Sequence, residues 1–133
     1  MVPNSDYKTI LLVDDNPTDL HLYSRALTEA GYRPITTLIG IDYFGLHQNE
    51  RPALILLDRT LKSSLSAGTI AKVLRYIFPT SPIMLFSMSA DALAEMDGVN
   101  ARFLQKGEPA KCINALRNLL GKGPEGLAAI AGE

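Results

Sequence analysis

A doubly wound α/β domain is predicted by three features of the sequence: short unbroken apolar runs, helical apolar periods between them, and polar residues where the runs end. Ile10 to Val13, Ala53 to Leu57 and Ile83 to Phe86 are apolar throughout instead of alternating. That is the pattern of strands covered on both faces.

In chain order, Ile10 to Val13 is the first strand, and Asn16 can cap a helix that has Pro17 at its first position and Asp19 in its first turn. Tyr23, Ala26, Leu27 and Ala30 form the apolar stripe of this helix, and Gly31 ends it. Arg33 to Ile39 is the second strand, followed by a weaker helical segment from Ile41 to His47. Ala53 to Leu57 is the third strand. Ile70, Val73, Leu74 and Ile77 mark the next helix, stopped by Pro79. Ile83 to Phe86 is the fourth strand, Ala90 to Met96 a weaker helical segment, and Ala101 to Gln105 the fifth strand. Glu108 and Pro109 open the last helix, with Ile113, Leu116 and Leu120 apolar and Gly121 as its stop. Five strand-helix units in this order require right-handed crossovers and a parallel sheet between two helical layers.

The chain has 133 residues, the size of one domain. Residues 1–7 are read as an extension, 8–120 as the domain and 121–133, rich in Gly and Ala, as a mobile tail. A formal net charge of -1 provides no field to attract nucleic acid or an anionic membrane. Cys112 is the lone cysteine, so neither an intramolecular disulfide nor a cysteine zinc site can form, and its apolar helical setting suits a buried thiol. The longest apolar run, Pro52 to Leu57, is too short to span a bilayer, and the first residues have no secretory core. A cytoplasmic protein is expected.

Ligands of such sheets bind outside the carboxyl ends of the strands. Asp14 and Asp15 follow the first strand, Asp58 the third, Ser87 the fourth and Lys106 the fifth, so all five should converge on one crevice. Three carboxylates there repel by ~4 kcal/mol per close pair at an effective dielectric of ~20. A cation must compensate, and Mg²⁺ suits hard oxygen ligands. Singly, each residue also has a plainer role: Asp15 as a helix cap, Asp58 as a turn residue, Ser87 as a strand-end hydroxyl, Lys106 as a solvated charge. His21 and His47 are read as exposed helix residues.

With VDDN at 13–16, LILLD at 54–58, PIMLFS at 82–87 and FLQKG at 103–107, residues 8–120 resemble a response-regulator receiver domain of two-component signalling. The resemblance implies a flavodoxin-like three-layer sandwich with strand order 2-1-3-4-5. It also implies that Asp58 is the phosphoacceptor and that Asp15, Asp58 and the Thr60 carbonyl bind Mg²⁺ or Mn²⁺, with Asp14 acting through water or as an auxiliary acid. Lys106 and the metal would neutralise the phosphoryl oxygens. Ser87 would bind the phosphoryl group and Phe103 fill the vacated space, as a switch. The phosphodonor would be a histidine kinase or a histidine phosphotransfer protein. The output would be a protein contact on the face of the fourth helix, fifth strand and fifth helix, carrying Asp91, Glu95, Arg102, Lys111 and Arg117, with homodimerisation as one form of it. Such a domain catalyses only its own phosphorylation and dephosphorylation.

The stretch after Asp58 departs from the family, which usually has a Met-Pro pair there and a glycine eight residues on; here that glycine is Gly68, two residues late. Lys106 is followed by Gly107 where the family commonly has proline, so a trans bond is expected. Met88 stands where a small residue is expected, and its side chain should crowd the pocket and slow phosphoryl gain and loss. Ser89 and Thr60 offer only hydroxyls, which are poor bases. The altered loop favours one alternative, a phosphorylation-independent binding module; the intact acids, Ser87 and Lys106 oppose it. A haloacid-dehalogenase-type phosphatase needs a second acid where Thr60 stands. A flavin site needs a hydroxyl- and glycine-rich phosphate loop, and DDNPTD offers acids.

Overall fold

The segments read as strands form one parallel sheet. The computed structural model describes residues 6–14, 16–37, 49–58, 66–88 and 101–120. Its elements are β1 (Asp6–Val13), α1 (Pro17–Glu29), β2 (Arg33–Thr37), β3 (Pro52–Asp58), α2 (Ala67–Ile77), β4 (Ile83–Ser87), β5 (Ala101–Gln105) and α3 (Pro109–Leu120). The strand order is β2-β1-β3-β4-β5, as the resemblance implies. Every neighbouring pair is parallel.

Strand alternation divides the core into two layers. Ile10, Leu12, Leu54, Leu56, Met84, Phe86 and Leu104 pack with Tyr23 and Leu27 of α1 and with Cys112, Ile113, Leu116 and Leu120 of α3. Leu11, Val13, Ile55, Leu57, Ile83 and Leu85 point the other way and pack with Ala67, Ile70, Ala71 and Leu74 of α2. β3, central in the sheet, is buried at all seven positions, which is why its sequence is apolar without alternation. Among the described residues no helix is long and apolar enough to cross a membrane.

The boundaries follow the capping chemistry. The Asn16 side chain accepts from Thr18 N at 2.9 Å and Asp19 N at 3.3 Å, and Pro17 occupies the first helical position. Ser66 caps α2 by accepting from Thr69 N at 3.1 Å. Gly31, with φ of 97°, takes the left-handed conformation after α1. Asn16→Ala should cost ~1 kcal/mol, read as a lower urea midpoint at constant slope. An unchanged midpoint would mean that another group takes over the cap.

β1 starts before its apolar run: Asp6 pairs with Pro52, with an irregularity in register before Ile10. Asp6 and Tyr7, read as part of an extension, therefore belong to the sheet. The helical segments 41–47 and 90–96, His47, residues 38–39 and the tail 121–133 lie outside the described residues.

Candidate functional site

Register aligns the carboxyl ends of the strands. Val13 pairs with both Thr37 and Leu57, Leu57 with Leu85, and Ser87 with Gln105. Asp14 and Asp58 continue the rows of Leu12 and Leu56, and Lys106 that of Leu104, so all three belong to the face covered by α1 and α3. Their residues are nearly inaccessible: Asp58 is 1% exposed, Asp14 5% and Lys106 6%.

The Lys106 ammonium joins them. Its Nζ lies 2.5 Å from Asp58 Oδ2, 2.7 Å from Asp19 Oδ2 and 3.3 Å from Asp14 Oδ2, one carboxylate for each of its three donors. The lysine backbone is fixed as well, its N–H donating to the Ser87 carbonyl at 2.8 Å. Asp14 Oδ1 accepts from Asn16 N at 2.9 Å, linking the end of β1 to the cap of α1. A small concavity open to solvent has Asp14, Asp19 and Asp58 on its polar side and Tyr23 and Phe86 on its apolar side.

With all its acids ionised the cluster carries more negative charge than its lysine neutralises: three carboxylates against one ammonium leave two units. Burial, reinforced by the hydrogen bond and charge of Asp58, raises the Asp14 pKa to about 7, with the bond from Asn16 N and the Lys106 charge acting in the opposite sense. Burial alone would lower the Lys106 pKa; its bonds to Asp19 and Asp58 and the charges of Asp58 and Asp14 raise it instead. Candidate ligand oxygens of Asp14, Asp19 and Asp58 all lie within 4.8 Å of one another, a spacing that a hard divalent cation can bridge. The donors and the excess charge thus fit a hard divalent cation.

The structure brings together Asp14, Asp58 and Lys106 as the sequence predicts, and Lys106 is not a solvated charge. Ser87 ends β4 and is 3% exposed. Phe103, half-buried, pairs with Leu85, so it continues the row of Leu85 and Ser87 on the opposite sheet face. Asp15, Thr60 and Ser89 lie outside the described residues. Met88 is 63% exposed where the chain leaves the sheet after Ser87. The Lys106–Gly107 bond is trans, as expected. Of the charged face, Arg102, Lys111 and Arg117 are exposed, though Arg117 donates to the Ala30 carbonyl at 3.4 Å; Asp91 and Glu95 lie outside the described residues. His21 is exposed, as expected.

Sequence reasoning missed Asp19 as a site residue, taking it only for a favourable charge at a helix start. The signal was its position: Asp19 lies four residues before Tyr23 and eight before Leu27, both buried, so it belongs to the core-facing stripe of α1.

A parallel doubly wound sheet with a carboxylate cluster and a buried lysine at its carboxyl edge is the arrangement that the receiver resemblance implies, and comparison with known proteins agrees on the family. The chain is 32% identical over 89 residues to the polar-differentiation response regulator DivK of Brucella anthropi, a match spanning 63% of this chain and 72% of that protein. No known family profile matches it. Among solved structures, Vibrio cholerae chemotaxis protein CheY4 superposes with a TM-score of 0.70 at 23% identity, covering 83% of this chain and 96% of that one. A response regulator receiver protein from Sinorhizobium medicae gives 0.66 at 25% identity, covering 85% and 94%. The chain belongs to the response-regulator receiver family.

Proposed function

We propose that this domain is a phosphorylation switch in which Asp58 accepts a phosphoryl group from a histidine kinase or a histidine phosphotransfer protein, with Mg²⁺ as cofactor. The observation that carries the reading is the buried Lys106 ammonium, 2.5 Å from Asp58 and flanked by Asp14 and Asp19. A buried carboxylate already in contact with a fixed cation can keep that cation when its oxygen attacks phosphorus. Lys106 then meets the charge on the phosphoryl oxygens, while the P–N bond of the phosphohistidine breaks and its electron pair returns to the imidazole. Asp14, Asp15, Asp58 and the Thr60 carbonyl would hold Mg²⁺, which supplies the remaining charge neutralisation when bound. Asp19 adds a carboxylate within reach of the same position. Incubation with acetyl phosphate and Mg²⁺ tests the reading: intact mass should rise by one phosphoryl group, and not in Asp58→Asn.

Ser87 and Phe103 would report the phosphate. The pairing of Leu85 with Phe103 places the two on one face of adjacent strands, two residues apart in register, so a shift of Ser87 toward the phosphoryl oxygens alters the packing that Phe103 meets. The face beside β5 and α3 would then present a changed surface to a protein partner or to a second copy. Beryllofluoride with Mg²⁺ should change amide exchange across residues 83–88 and 101–120; identical exchange in both states would reject the switch.

A further inference from the structure

We infer that Tyr23 is a positioning residue for Lys106: its hydroxyl supplies from α1 the restraint that the loop after β5 lacks. This rests on the reading of Asp58 as phosphoacceptor, with Lys106 as its cationic partner. Lys106 is held on its N-terminal side by the bond from its own N–H to the Ser87 carbonyl. On its C-terminal side stands Gly107, the residue with the freest backbone. Nothing in the fold demands glycine there: its φ is not positive, and a Cβ would meet nothing within 4 Å.

That freedom is removed from outside the loop. Tyr23 donates from its hydroxyl to the Gly107 carbonyl at 2.7 Å, joining positions 84 residues apart. The tyrosine is itself fixed, 7% exposed and edge-on to Phe86, with ring centroids 4.9 Å apart at 82°. The ammonium lies 5.8 Å from the Tyr23 centroid and 5.6 Å from that of Phe86, so the two rings wall its channel. One turn earlier on α1, Asp19 takes the ammonium at 2.7 Å. Successive turns of α1 therefore hold Lys106 at its tip and at its base. Merely filling the core would require only the ring of Tyr23, not its hydroxyl.

Tyr23→Phe separates these roles because it keeps the ring and removes one hydrogen bond. Beryllofluoride with Mg²⁺ should bind this variant roughly tenfold more weakly than the parent, the loss expected for one buried hydrogen bond that positions a charge. The ¹⁵N-labelled Lys106 ammonium resonance, measured with chelator and without any phosphoryl analogue, should broaden through faster exchange with water. Adding Gly107→Ala, which narrows the freedom of that backbone without a clash, should restore most of the lost affinity. Leu22→Ala, at an exposed neighbouring position, should leave both readouts at the parent values. Parent-like affinity and resonance in folded Tyr23→Phe, or a double variant no tighter than Tyr23→Phe, would overturn the assignment. If the parent itself fails to bind beryllofluoride, the phosphoacceptor reading fails, and the ammonium resonance alone decides whether Tyr23 positions Lys106.

Discussion

Lys106→Ala should strongly destabilise the metal-free protein and nearly abolish phosphoryl uptake. Its ammonium is the compensating charge among Asp14, Asp19 and Asp58, and two of those three carboxylates belong to buried residues. Removing one partner from a buried ion cluster leaves the others uncompensated, at a typical cost of roughly 3 to 5 kcal/mol. For a domain of this size that lowers the melting temperature by roughly 10 °C or more in chelator. Mg²⁺ should recover part of the loss, since a divalent cation can take over charges that the lysine neutralised. Phosphoryl uptake should stay at least ~10²-fold slower even with metal, because the charge that meets the phosphoryl oxygens is gone. A melting temperature in chelator within about 2 °C of the parent would show that the ammonium does not neutralise the cluster.

The second large effect is a dependence of stability on pH that Mg²⁺ removes. In the folded protein Asp14 holds its proton up to about pH 7, whereas its ordinary pKa is 3.8. Between those values the folded state keeps a proton that the unfolded state has lost, so this group makes stability fall as pH rises through the window. Above about 7 the loss is complete. The chelated protein should therefore melt at a temperature roughly 3 to 10 °C higher near pH 5.5 than near pH 8. Mg²⁺ should bind the deprotonated cluster and stabilise most near pH 8, by about 2.7 kcal/mol at a hundredfold excess over its dissociation constant. Asp14→Asn should flatten the slope in chelator. Stability that rises from pH 5.5 to pH 8 without metal would contradict the charge excess assigned to this site.

The layers were legible in the sequence because burial on both faces leaves a direct mark. β3 and β4 are fully buried and read as continuous apolar runs; α1, capped by Asn16 before Pro17, announces its own start. Asp14, Asp58 and Lys106 were legible together, since charged residues at the carboxyl ends of three parallel strands converge on one crevice. The first turn of β1 pairing was not, because Asp6 to Thr9 carries no apolar run and its place is set by pairing with β3 and β2. Asp19 and Tyr23 show the same limit. Their spacing on α1 is a local fact, but their reach to Lys106 and Gly107 depends on how α1 packs on the sheet, around Leu27, Leu12 and Leu56. For Met88 the sequence gives the size of the side chain but not its exposure, which depends on where the chain leaves the sheet after Ser87.

The most direct measurement is to locate the phosphoryl group after exposure to acetyl phosphate. Borohydride reduces an aspartyl phosphate to homoserine, so peptide mass analysis of the reduced protein identifies the modified carboxylate. Homoserine is expected at position 58, only when Mg²⁺ is present during phosphorylation and not when chelator replaces it. Conversion at Asp14 or Asp19, conversion independent of metal, or no conversion of Asp58 would contradict it.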